Sequence, residues 1–168
     1  MIGQHQDASG AQTGGVYICP NCRGPAFFAP TGSVLPSPAF GTPVQHLPET
    51  VEAVYEEARR CVGVTCYTGA VLLCRKLLMN IAVAQGAQEG LRFIEYVDFL
   101  AANGYIPPNG RHWVDHIRRK GNEATHEIVL MEETDAKEIL VFTEMLLKFV
   151  YEFPAIVPLP SASPQTAL

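Results

Sequence analysis

Gly69-Ala70-Val71-Leu72-Leu73-Cys74-Arg75-Lys76-Leu77-Leu78-Met79-Asn80-Ile81-Ala82-Val83-Ala84 decides the fold class. Within it Ala70, Val71, Cys74, Leu77, Leu78 and Ile81 recur at intervals of three and four, which gathers apolar side chains on one side of an α-helix. The spacing predicts a core-facing helix to about Ala84, ended by Gln85-Gly86.

The same grammar extends on both sides. Upstream, Pro48 suits a first helical turn and Glu49 and Glu52 complement the positive end of the helix dipole, predicting a helix to about Val62, with Gly63 and Thr65 as punctuation. Downstream, Leu91, Ile94, Val97 and Leu100 mark a short helix to Ala102 that Asn103-Gly104 closes. Ile106-Pro107-Pro108-Asn109-Gly110 then turns into a helix over 112–120 with Trp113 and Ile117 one turn apart. Gly121 either stops that helix or bends it, because glycine is costly inside a helix and favoured just after one. A last helix runs from Asp135 to about Phe153, with Thr134 as cap, Glu138 near the capping-box position and Pro154 as stop. The expected fold is all-α: one domain of five or six helices over residues 48–153, with no internal repeat and no strand outside the arm before it.

The flanks have a different composition. Residues 1–15 are rich in Gly and Gln and lack an apolar period, as does the Pro-, Ser- and Ala-rich end, so 1–15 and 154–168 are expected to be disordered. Residues 16–47 form a cysteine-bearing arm and a connector in which Pro25, Pro30, Pro36, Pro38 and Pro43 remove backbone donors. Glu144, Lys148 and Glu152 interrupt the longest apolar stretch near the C-terminus, and the first residues lack the basic and apolar regions of a secretory signal. The expectation is no membrane helix and a cytoplasmic location.

A net charge of −5 argues against coating nucleic acid by charge alone, which requires many phosphates to be neutralised. Any such contact must be local, and Arg111, His112, His116, Arg118, Arg119 and Lys120 form a basic cluster in this acidic chain. Five cysteines are an odd number, and Cys61, Cys66 and Cys74 fall in segments that read as helix, so reduced thiols are expected. Cys19-Pro20-Asn21-Cys22-Arg23-Gly24 differs: it has the spacing of a zinc knuckle, in which two thiolates grip one ion. A structural zinc site needs four ligands, so Cys19 and Cys22 are half of one. His5, His46 or the same pair from a second subunit could complete it; a knuckle without metal or two free thiols are the alternatives.

On one continuous helix Asp115, Arg119, Asn122 and His126 fall within about 60° of each other, opposite Trp113, Ile117, Ala124, Ile128 and Met131. The plain reading is the wet face of an amphipathic helix. These residues also carry a family resemblance. Glu57-Ala58-Arg59 with Cys61, Tyr67-Thr68-Gly69-Ala70-Val71 leading to Arg75-Lys76-Leu77-Leu78, and Ile117-Arg118 ahead of Gly121-Asn122-Glu123-Ala124-Thr125-His126 resemble the domain of unknown function numbered 4145. The resemblance spans about residues 48–152, and an upstream cysteine pair is familiar in that group. Members often carry an acidic residue at the position of Met79, where this chain departs.

That family in turn resembles the HEPN superfamily of helical domains, many of them ribonucleases of toxin–antitoxin and antiviral systems. The superfamily motif is an arginine, commonly followed by a polar residue, with four to six residues between the arginine and a histidine. Arg119 and His126 match at the outer limit of that spacing, with Asn122 rather than Lys120 as the polar residue. The resemblance implies a HEPN-like bundle, a homodimer, and metal-independent RNA cleavage in a defence or toxin system. Zinc would be structural only, with no cofactor for catalysis. Metal-free cleavage needs a base for the 2′-hydroxyl, an acid for the leaving 5′-oxygen and positive charge for the phosphorane. A histidine, with an unperturbed pKa near 6.5, serves either proton role. His126 is the candidate, with Arg119 holding phosphate through its planar fork and Asn122 orienting the imidazole. One imidazole hardly supplies both protons, which suits a dimer. The alternative is a non-catalytic interaction module that docks a partner protein.

Overall fold

The computed structural model describes residues 3–6, 9–10, 12–20, 23–107, 113, 115–117, 119 and 130–157. Its helices are α1 (Glu49–Gly63), α2 (Tyr67–Ala84), α3 (Phe93–Ala102), α4 (Glu133–Leu147) and a short α5 (Phe153–Ile156). Backbone at 113, 115–117 and 119 is helical as well. α2 lies at the centre, packed against α1, α3 and α4. The face predicted from its spacing is the buried one: Ala70, Val71, Cys74, Leu77, Leu78 and Ile81 meet Tyr55 and Ala58 of α1 and Leu140 and Leu146 of α4 in one core. By length and composition α2 also meets the requirement for crossing a membrane, although Arg75 and Lys76 interrupt its middle.

Three helix details depart from the sequence reading. The buried face of α3 is Phe93, Tyr96, Val97 and Leu100, so the stripe is offset from Leu91 and Ile94, which are half-buried. Phe93 is among the largest fully buried side chains, and Arg75 of α2 lies 4.4 Å from its ring centroid. α4 starts at Glu133, with the Asp135 carboxylate accepting the Glu132 backbone N–H at 3.2 Å, so Thr134 lies inside the helix instead of capping it. Nor does Pro154 stop the chain of helical turns. After α4 the helix widens into a π turn over Lys148–Glu152, and α5 follows without a break and carries Pro154 near its start.

The larger correction concerns the N-terminal part. An antiparallel sheet in the order β1 (Gly3–Gln6), β2 (Gln12–Ile18), β3 (Pro25–Phe28) and β4 (Val34–Leu35) makes the protein mainly helical rather than all-α. β1 and much of β2 lie within 1–15, which lacked any apolar period in sequence. These strands are neighbours in sequence and pair antiparallel with one another, so they need only local pairing and no apolar run announces them. Glycine contributes sterically: a Cβ on Gly14 would stand 2.4 Å from the Phe27 ring across the sheet. Pro25 sits at the first position of its strand, where proline is tolerated.

The proline-rich connector is extended but fixed. Buried Arg59 donates from Nε to the Phe40 carbonyl and from Nη2 to the Gly41 carbonyl, both at 2.9 Å, while its Nη1 meets Glu56 at 2.6 Å. One residue further, Glu144 of α4 accepts the Thr42 backbone N–H at 2.9 Å, the Thr42 hydroxyl at 2.5 Å and the Tyr55 hydroxyl at 3.1 Å. Lys148 donates to Glu144 at 2.6 Å and to the Thr42 hydroxyl at 2.8 Å. Side chains from α1 and α4 thus supply the hydrogen bonds that proline spacing denies to the connector.

α1 ends in a Schellman turn: the Cys66 N–H donates to the Cys61 carbonyl at 2.8 Å and the Thr65 N–H to the Val62 carbonyl at 3.2 Å. Thr65 holds the left-handed position at φ 60°, which glycine usually occupies and a β-branched residue fills at a cost. Thr65→Gly is therefore expected to raise stability by about 0.5–1 kcal/mol, net of the extra backbone entropy glycine loses on folding. Urea unfolding checks this; a midpoint that stays put or falls would refute it.

Candidate functional site

The basic cluster of the sequence is represented among the described residues by His116 and Arg119, both on helical backbone. Ile117 between them is buried, while Asp115 and Arg119 are exposed, so this segment has the two faces its periodicity predicts. Arg119 Nη2 lies 3.3 Å from His116 Nδ1, and His116 Nε2 lies 2.6 Å from a Glu138 oxygen on α4. A guanidinium has donors only, so Nδ1 accepts and the ring proton sits on Nε2, directed at Glu138. His116 is thus a strut: Glu138 orients the ring, and the ring steadies one edge of the Arg119 fork.

Beside this row opens a groove of about 790 Å³ between the 113–119 segment and α4. Trp113, Ile117, Val141, Phe142 and Met145 form its walls, with His116, Lys137 and Glu138 along the rim. Trp113 is 46% and Val141 52% exposed, so an apolar surface adjoins the charged row. Sequence reading placed Trp113 and Ile117 on one face but gave no sign of the His116–Glu138 pair. The two are 22 positions apart and on separate elements, beyond any local spacing rule.

Of the predicted catalytic residues, Arg119 is described; Asn122 and His126 lie outside the described residues. Met131 was expected to extend the apolar face of that helix. It is buried, but its backbone is not helical and its N–H donates to the Thr68 hydroxyl at 3.1 Å, which ties the approach to α4 onto α2.

Cys19 directly follows β2, in the turn that leads to β3, and Cys22 lies outside the described residues. Around this turn the Arg23 N–H donates to the Cys19 carbonyl and the Cys19 N–H to the Gly24 carbonyl, both at 2.9 Å. No group of three or more metal-ligating side chains occurs among the described residues.

The family model described as Domain of unknown function (DUF4145) matches residues 56–159. The chain belongs to that family. No curated protein and no solved structure matches it. The DUF4145 match takes in most of α1, all of α2 to α5 and the Arg119 segment, and leaves the sheet and the cysteine pair outside. The His116–Glu138 strut therefore belongs to the DUF4145 region, whereas Cys19 belongs to an arm attached in front of it.

Proposed function

We propose that this DUF4145 protein is a HEPN-like helical domain that works as a cytoplasmic homodimer and cleaves RNA without a metal ion, in a defence or toxin setting. The observation that carries this reading is the placement of Arg119: exposed on a helix and steadied through His116 by Glu138. A fork held in advance binds phosphate at a lower ordering cost than a free side chain. In this reading His126 takes the proton of the attacking 2′-hydroxyl, and Asn122 orients it. The second copy supplies the other imidazole.

The groove beside Arg119 favours a second reading, a non-catalytic module whose apolar walls dock a partner protein. Purified protein incubated with mixed RNA in EDTA, wild type beside His126→Ala, separates the two. Cleavage by wild type alone supports the enzyme; no cleavage by either supports the module.

For the arm we propose a structural zinc ion held by Cys19 and Cys22, the remaining ligands coming from His5, His46 or the same pair of the second copy. Protein purified without chelator should then contain zinc, and Cys19→Ser with Cys22→Ser should lose it. Reduced, folded wild type free of zinc would refute this site.

A further inference from the structure

We infer that Cys61 and Cys66 form a modification site: a dithiol that a peroxide converts to an intrachain disulfide across the Schellman turn of α1. In such a turn the residue that donates back to the helix and the residue whose carbonyl accepts are the two whose side chains meet, commonly as an apolar contact. Here those positions are Cys66 and Cys61, joined by the 2.8 Å backbone hydrogen bond. Gly69 leaves room for the pair, since a Cβ there would stand 2.7 Å from the Cys66 sulfur and 3.7 Å from the Cys61 sulfur. Both cysteines are free thiols, Cys66 exposed and Cys61 half-buried. Cys66 occupies the N-cap position of α2 instead of lying within a helix, contrary to the sequence reading, and it is exposed.

The two sulfurs have separable roles. Burial pushes the Cys61 thiol up, with Cys66 and Glu57 adding to it, which favours its protonated form. Cys66 is the sulfur an oxidant reaches first. Its thiolate attacks one peroxide oxygen, the O–O bond breaks, and the departing hydroxide takes a proton to become water, leaving Cys66 as a sulfenic acid. The Cys61 sulfur then attacks the Cys66 sulfur; the S–O bond breaks and the hydroxyl leaves as a second water with the Cys61 proton. Two thiols and one peroxide become one disulfide and two waters, and a small thiol reductant reverses the change. Cys74, one helix further in, takes no part: it is fully buried and burial pushes its thiol up to about 12.

The test uses the full chain, reduced, freed of reductant and treated with hydrogen peroxide. Tryptic peptide 61–75 holds Cys61, Cys66 and Cys74, so mass spectrometry under non-reducing conditions reads the outcome directly. The expected product lacks two hydrogens, with fragmentation placing the link between Cys61 and Cys66 and Cys74 alkylated only after unfolding. Cys61→Ser should abolish the link and let dimedone trap the sulfenic acid on Cys66. Before oxidation, one equivalent of phenylarsine oxide, which bridges two adjacent thiols, should protect Cys61 and Cys66 of wild type from alkylation together, a readout that needs no variant. A peptide that keeps both hydrogens, a link from Cys66 to Cys19 or Cys74, or an arsenical that leaves the pair open to alkylation would each overturn the proposal.

Discussion

Glu144→Gln is expected to lower folding stability by about 2 kcal/mol at neutral pH and by almost nothing near pH 2. Burial alone would push this carboxyl up, but hydrogen bonds from Lys148, from the Thr42 side chain and backbone and from Tyr55 outweigh it and bring it down to about 2. A depression of that size from the ordinary glutamate range corresponds to about 3 kcal/mol, reduced here because Lys148 is partly open to solvent. The sign follows from which state holds the proton more tightly. The unfolded chain binds it with an ordinary glutamate pKa and the folded chain far more weakly, so folding is favoured wherever the carboxylate is charged. That contribution is complete above about pH 5 and disappears as pH falls through about 2. Urea unfolding of wild type and variant over this range should show two curves that converge on acidification. A gap that stays constant with pH would mean that Glu144 acts by packing and not by charge.

That cluster also marks where the sequence stopped being readable. Glu144 and Lys148 were visible as residues that break an apolar run, yet Thr42 is more than a hundred positions away in a stretch read only as proline-rich. Helices were legible because their apolar period is local and strong: the face of α2 was readable from six residues. β1 and β2 were not, because a hairpin of glycine and polar residues carries its order in cross-strand pairing that no run of side chains declares. The candidate site was legible in the same uneven way. Arg119 and Ile117 fell on the faces their spacing required, whereas the His116–Glu138 strut arises only when the 113–119 segment packs beside α4. Cys61 and Cys66 were read as helical thiols. Their meeting depends on Thr65 adopting a left-handed conformation that threonine seldom signals.

The largest effect is expected at the Arg119, Asn122 and His126 positions, in RNA cleavage with EDTA present. If the proposed site is catalytic, His126→Ala should lower the rate by about 10²–10⁴-fold, the usual range for loss of a general acid or base, while helicity persists. Arg119→Lys should fail as well, because lysine keeps the charge but loses the planar fork that spans two phosphate oxygens. The strut sharpens this test. Lysine has no fixed edge for the His116 ring to steady, so the variant loses orientation together with bidentate contact. If the neighbouring 2′-hydroxyl is the nucleophile, products must end in a 2′,3′-cyclic phosphate, because the attacking oxygen stays bonded to phosphorus when the 5′-oxygen leaves. Mixing wild-type with His126→Ala protomers tests the shared site. If each half of the dimer lends an imidazole to a common centre, the mixed dimer is inactive and cleavage falls below the wild-type share of the mixture. Equal cleavage by wild type and His126→Ala would identify a contaminating nuclease, and unfolding of His126→Ala would make the histidine structural. Either result replaces the enzyme with a docking module, whose binding surface would then be the Trp113, Val141 and Met145 walls beside Arg119.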